Sequence, residues 1–323
     1  LITGGAGFIG RHLVRRLLAD ATAEVVVLDN LRRARSFPEG DCRCFEGDIR
    51  DGETVSAAMR GVDVVFHLAA QSNVMGAESD RDYAFSTNVV GTFRVLDAAR
   101  VAGVRRLVFA SSSEVYGDAA SLPVAETAHA GAKNHYGASK LAAEAYCRVF
   151  ANEGLPVVVL RLANVYGPGD MDRVIPLFLT AALRGEPLAI YGGRQVIDFL
   201  WIEDAVEAML RASRVDASAG PFNLGSGTGV TVHQLAGMIH RQIPGGVRIR
   251  QRPARQQEVM GYVADIGRAL RYGLLEEPGP PLQHLARVLD ATRAESEEGG
   301  AHVAGGEAAG VSLESFWTVG RHR

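Results

Sequence analysis

Thr3-Gly4-Gly5-Ala6-Gly7-Phe8-Ile9-Gly10 is the stretch from which the fold is read. A short apolar run ends at Thr3, and a helical pattern opens at Phe8. Gly4, Gly7 and Gly10 recur every third residue between and within them. Glycines so placed let backbone approach a pyrophosphate and let a helix pack tightly on a strand. The helix N-terminus then offers free N–H groups and a positive dipole end to an anion.

Outward from this turn, apolar runs alternate with longer helical patterns. Strands are expected at residues 1–3, 24–29, 42–46, 62–68, 106–111 and 156–162, and helices at 8–19, 54–60, 83–102 and 136–153. The strand runs are apolar throughout, as strands covered on both faces should be. Such alternation reads as an α/β fold with a doubly wound parallel sheet. After about residue 165 the elements shorten and Pro and Gly punctuate them, which points to a smaller second lobe. Helices are expected there at 174–184, 203–214 and 232–242, and strands at 188–191 and 222–224. The reading is a nucleotide-binding domain over 1–165, a substrate lobe over 166–295 and a flexible tail over 296–323, the stretch from 295 to 310 being rich in Glu, Gly and Ala. A few residues are expected to precede Leu1.

The second strand ends at Asp29, 19 residues beyond Gly10. That is close to the ~20 expected for the acid that takes the adenosine ribose hydroxyls. A carboxylate there repels a 2′-phosphate, so the cofactor is expected to be NAD; Arg32 and Arg33 leave room for NADP. Phe8, Ile9 and Asn30 should flank the same site. Asp48, before Ile49 at the end of the third strand, either accepts from the adenine amino group or caps the helix that starts near Asp51. Leu68, Ala69 and Ala70 end the fourth strand and should line the cofactor, with His67 as a buried structural residue.

Tyr136-Gly137-Ala138-Ser139-Lys140 sets Tyr and Lys four residues apart, on one face of a helix. An unperturbed phenol, with a pKa of ~10, is a poor base at neutral pH. A nearby ammonium and a positive nicotinamide ring would favour the phenolate, which can take a proton from a substrate hydroxyl as hydride leaves the same carbon. Of 34 Lys and Arg residues only Lys133 and Lys140 are lysine, so a position that keeps Lys has reason to need an ammonium. Ser111-Ser112-Ser113-Glu114 ends the fifth strand, where ligands of parallel sheets bind.

The bulk properties narrow the alternatives. A net charge of −3 provides no basic field for nucleic acid. No apolar run approaches the ~20 residues of a membrane span. Cys42, Cys44 and Cys147 make neither a disulfide framework nor a zinc site, which fits a reducing, cytoplasmic protein; Cys42 and Cys44 are read as packing residues, and no metal is expected.

In order along the chain, TGGAGFIG, HLAAQ, SSSEVYG, YGASK, LANVYGP and GEPLAIYGG with IDFLWIEDAVEA resemble the extended short-chain dehydrogenases/reductases that modify nucleotide sugars, especially UDP-glucose and UDP-glucuronate 4-epimerases. The likeness runs from residue 1 to about 290. It implies a Rossmann-type domain with a smaller substrate lobe, NAD as cofactor, a UDP-sugar as ligand, Ser112, Tyr136 and Lys140 as catalytic residues, and a homodimer built on the helices near 83–102 and 136–153. It further implies that Asn164 bonds the substrate, that Arg255 meets the diphosphate and that Glu258 meets the uridine ribose. Two positions depart from the pattern. Ile197 stands where the family often has Arg, with Arg194 as a possible replacement. His135 stands where Pro usually precedes the catalytic Tyr.

Within that family, one kind of dehydratase carries an Asp at the position of Ser113, as the acid for water loss. Ser113 cannot serve, so 4-epimerisation is expected, with a decarboxylase kept as the alternative by Glu114. The intact Ser112, Tyr136 and Lys140 argue against a catalytically silent NAD-binding protein. Arg173 and Val174 follow the Asn164 motif towards the substrate lobe. Arg173 either meets a C6 carboxylate of a uronic acid or pairs with Asp170 or Asp172 at the surface.

Overall fold

A computed structural model describes residues 1–20, 23–216 and 220–303. The first part of the chain runs β1 (Ile2–Thr3), α1 (Phe8–Leu18), β2 (Val25–Asp29), β3 (Cys42–Glu46), α2 (Gly52–Ala58), β4 (Val64–His67), α3 (Val74–Ser79), α4 (Arg81–Phe85), α5 (Thr92–Val101), β5 (Arg106–Ser112), α6 (His135–Asn152) and β6 (Val157–Leu162). The second part runs β7 (Asn164–Tyr166), α7 (Val174–Leu183), β8 (Leu188–Tyr191), β9 (Val196–Trp201), α8 (Ile202–Ala212), β10 (Phe222–Leu224), β11 (Gly229–Thr231), α9 (Val232–Gln242), β12 (Ile249–Arg252), α10 (Gly267–Arg271) and α11 (Leu285–Val303). No helix among the described residues is long and apolar enough to cross a membrane.

Seven strands form one parallel sheet in the order β10-β6-β5-β4-β1-β2-β3. The chain winds outward from β1 to β3, then returns to start the other half at β4. The switch point lies between β1 and β4, where an open parallel sheet presents a crevice at its carboxyl ends. One face of the sheet packs α2, α5 and α6 through Val55, Val95, Leu96, Ala143, Cys147 and Phe150. The other face packs α1 through Leu13 and Val14 and merges with the core of the second lobe. That lobe carries two small sheets, β11-β9-β7 and β12-β8.

Several expectations need correction. Residues 222–224 form a strand as expected, but it joins the main sheet beside β6, with Phe222 opposite Leu160. The main sheet therefore draws on both sides of residue 165. The helix expected over 83–102 forms, running from Arg81 to Val101, but its stretch Ser86–Gly91 widens into π geometry. Asn88 is buried there, and its side chain accepts from the Gln71 N–H at 2.8 Å and donates to Gln71 O at 3.0 Å and Ser139 Oγ at 2.8 Å. Such widenings recur at functional sites because they re-aim a side chain. Cys44 is exposed and Cys42 half-buried, since β3 is the outermost strand; only Cys147 is a core residue. Helix α11 continues through residues 296–303, which were read as tail. The rest of that segment lies outside the described residues.

Candidate active site

The glycine turn is shaped by close backbone approach. Gly4 has φ +70°, and a Cβ there would lie 2.7 Å from Ala69 N. A Cβ on Gly10 would lie 2.3 Å from Gly4 O and 2.6 Å from Gly5 Cα. Gly7 is the N-cap of α1 and supplies no capping side chain, so the first amides of an 11-residue helix are left for a ligand. This bare turn fits a dinucleotide pyrophosphate. Replacing Gly10 with Ala forces backbone apart; we expect about 1–3 kcal/mol of lost stability and a weaker NAD complex, read by thermal unfolding and NAD titration.

Asp29 holds the turn in place. Its Oδ2 accepts from Ala6 N–H at 3.0 Å and its Oδ1 from Leu31 N–H at 2.9 Å. A carboxylate has about four lone-pair directions, so both oxygens keep capacity for ribose hydroxyls. Arg32 stacks 3.8 Å over Tyr83 and pairs with Asp80, while Arg33 turns to Ser72 and Asp172. Both arginines are thus engaged elsewhere than at a 2′-phosphate.

Asp48 does not cap α2. Asp51 does, accepting from Glu53 N–H at 3.0 Å, while Arg50 grips both oxygens of Asp48 at 2.8 Å and Asn30 adds a bond at 2.9 Å. Burial opposes ionisation of Asp48, but the bonds from Arg50 and Asn30 prevail and bring it down to about 2. Ile49 is buried against Gly91. Across the switch point, Leu68 N–H donates to Thr3 O at 3.1 Å. His67 is fully buried between Thr3 Oγ1 at 2.7 Å and Thr92 Oγ1 at 2.9 Å. Burial, then the Lys140 charge, lowers it to about 3, so it is a neutral structural residue as expected.

Strand β5 and helix α6 deliver the reactive groups. Asn134 caps α6, accepting from Gly137 N–H at 2.8 Å and donating to Glu114 Oε2 at 2.7 Å and Gln257 O at 3.2 Å. The Tyr136 phenol lies within the influence of the buried Ser112 hydroxyl, which favours its ionised form. Burial pushes the phenol pKa up; Ser112 and the Arg173 charge pull it back and Glu114 adds to the rise. Lys140 is buried, and its Nζ donates to Ala110 O at 2.8 Å. Burial lowers the ammonium to about 8, so it remains mostly charged at pH 7. The expected phenolate support therefore does not come from a direct Lys140–Tyr136 bond. Glu114 beside them is raised by burial, against the bond from Asn134.

The second lobe closes the other side. Asn164, Asp170, Arg173 and Val174 line one small cavity. Arg173 does pair with Asp170, at 2.9 Å, but not at an open surface: the Asp170 side chain is only 3% exposed. Asp170 is raised by burial against the pull of Arg173. Arg255 donates to Glu258 Oε1 at 3.0 Å and stacks 3.6 Å from the Tyr191 ring centre; Gln195 donates to the other Glu258 oxygen at 2.8 Å. Arg194 is exposed beside them, and Ile197 pairs with Val230 in the small sheet. His135 is half exposed and faces Glu78, which also accepts its backbone N–H at 3.3 Å, a bond Pro cannot make. The sequence reading missed the acids buried below the site. Asp198 accepts from the N–H groups of Ser226, Gly227 and Ala264, and Glu144 binds Arg161 and Ser111. Charged residues inside otherwise apolar elements were the available signal.

The model of the NAD dependent epimerase/dehydratase family matches residues 1–225. The UDP-glucose 4-epimerase of Mycolicibacterium smegmatis is 36% identical over 267 residues, covering 78% of this chain and 84% of that one. The UDP-N-acetyl-alpha-D-glucosaminuronate decarboxylase of Bacillus cytotoxicus is 35% identical, covering 75% of this chain and 79% of its own. The structure of MoeE5 in complex with UDP-glucuronic acid and NAD superposes with a TM-score of 0.84 at 33% identity, over 91% of this chain and 98% of that one. This chain belongs to the NAD dependent epimerase/dehydratase family and is an NAD-dependent enzyme that modifies nucleotide sugars.

Proposed function

We propose that the enzyme is a 4-epimerase of a UDP-sugar, and that the sugar is a uronic acid. The observation that carries the reaction type is the pairing of Tyr136 with Ser112, next to Ser113 rather than an acid that could expel water. Tyr136 accepts the 4-OH proton and Ser112 shares it. Lys140 supplies positive charge from its anchor on Ala110. NAD, which the glycine turn and Asp29 would hold, would supply reversible hydride transfer at C4, and the return to the opposite face would give the epimer. Meanwhile Arg255 holds the diphosphate and Glu258 the uridine ribose, the two being preset by their mutual bond. Asn164 bonds the substrate between them. Glu114, whose carboxyl burial pushes up, favours a decarboxylase as the second reading, since an acid beside the sugar could serve a proton transfer to carbon. The exposed Phe85, Tyr146 and Val149 on α4 and α6 support a homodimer through these helices. Incubation with UDP-glucose, its N-acetyl derivative and UDP-glucuronate, with products identified by NMR, tests the reading. A C4 epimer supports it; a pentose product with released CO2 supports the decarboxylase.

The uronic acid rests on Arg173, the cation whose field reaches the Tyr136 phenol. A guanidinium can meet a carboxylate with two parallel bonds. Arg173→Ala is expected to lower kcat/KM for UDP-glucuronate at least ~10-fold and to affect UDP-glucose far less. Equal losses for both sugars would assign Arg173 to the diphosphate or to folding, and no loss would leave the carboxylate without its partner.

A further inference from the structure

Three loops from different strand ends meet beyond the glycine turn. Arg33 lies in the segment after β2, Ser72 and Asn73 in the segment after β4, and Asp172 in the segment after β7. Arg33 donates to Ser72 Oγ at 2.8 Å and, through its other terminal nitrogen, to Asp172 Oδ2. Asn73 Nδ2 donates to that same oxygen at 2.7 Å. In the sheet, β1 lies between β4 and β2. A contact from the β2 segment to the β4 segment therefore spans the position of β1, past whose end the bare glycine backbone and the free amides of α1 lie.

Both sides of this bridge are anchored. Asn73 also caps α3, its Oδ1 accepting from Gly76 N–H at 2.6 Å. The segment after β2 is held by Arg11, which donates to Ser36 O and, at 2.7 Å, to Ala6 O of the glycine turn itself. All the bonds from Arg33 and Asn73 to the second lobe converge on one oxygen of Asp172, so that side chain alone ties the second lobe to the Arg33–Ser72 span and braces it.

We propose that Arg33, Ser72, Asn73 and Asp172 form a clasp across the dinucleotide cleft that governs how fast NAD leaves. The side chains of Arg33 and Asp172 remain 38% and 30% exposed. Pairs so exposed add little to folding stability, and they open and close readily. The clasp therefore acts on release rather than on folding. An enzyme whose cofactor is regenerated within each turnover gains from slow release, because no exchange is needed.

The test loads the full enzyme with NADH and follows nicotinamide fluorescence after a chase with excess NAD. Asp172→Ala is expected to speed release about 10-fold, since affinity changes fall mostly on dissociation. Arg33→Ala should do the same, and the double variant should release no faster than the faster single variant. The unfolding midpoint of the cofactor-free enzyme should stay put in all three. Raising salt should speed release from the unaltered enzyme and leave Asp172→Ala unchanged, as screening weakens an exposed pair. Unchanged release in Asp172→Ala overturns the proposal. So does acceleration by Arg33→Ala alone, which would place Arg33 on the cofactor phosphates, or additive effects in the double variant.

Discussion

Tyr136→Phe is expected to cut turnover at least ~100-fold while NAD affinity stays nearly constant, because one acid–base group is lost and the ring is kept. The phenol hydroxyl faces Ser112, whose own Oγ accepts from Glu114 N–H at 3.2 Å. The place of Tyr136 on α6 is secured separately, by the Asn134 cap and by the Ser139 Oγ bond to Tyr136 O at 2.8 Å. Deleting one oxygen should therefore leave the helix and the glycine turn as they are. Steady-state rates with a UDP-sugar and an NAD titration measure the two halves of the expectation. A variant with a near-normal rate would remove Tyr136 from the chemistry, and joint loss of rate and NAD affinity would mean that the substitution disturbs the fold.

Glu144→Ala is expected to cost about 3–5 kcal/mol of stability, the range for breaking a buried ion pair from one side. Glu144 is 5% exposed and Arg161 7%. Their bond of 2.7 Å is joined by Ser111 Oγ to Glu144 and by Arg161 to the Tyr116 hydroxyl at 2.8 Å. Burial disfavours the guanidinium, yet Glu144 more than offsets this and raises its pKa. Without the carboxylate, Arg161 would be a buried charge with only neutral acceptors. Chemical denaturation of Glu144→Ala beside Glu144→Gln, which keeps the shape, measures the cost. A loss under ~1 kcal/mol would show that water reaches Arg161.

The local geometry of the candidate site was legible because it is written in contiguous residues. The glycine turn, the acid ending β2, and the Tyr and Lys one helical turn apart all depend on spacing, and the structure places each at the carboxyl end of the main sheet. What escaped depends on partners distant in sequence. Nothing near Asp48 tells that Arg50 and Asn30 would claim both its oxygens and leave Asp51 to cap α2. Nothing near Arg173 tells that its partner Asp170 would be buried rather than at the surface. In the 42–46 run, Arg43 and Glu46 were the hint that β3 would be an edge, though its place follows from where the chain reverses. The π widening at Ser86–Gly91 accompanies the bonds of Asn88 to Gln71 and Ser139. These are pairings that periodicity does not record.

The late strand β10 has a consequence for how the chain can be made and cut. A ribosome that has delivered residues 1–165 has released six strands with β6 at an open margin, its backbone groups facing water or another chain. Such a margin is a template for misplaced pairing until residues 222–224 arrive to cover it. Asn223 then brings more than backbone. It accepts from the Tyr116 hydroxyl at 2.7 Å and donates to Val124 O at 2.8 Å, stitching the late segment to the turn that follows β5. A fragment ending at the apparent lobe boundary should therefore aggregate. Exchange of substrate lobes between relatives must carry β10 with the half it completes.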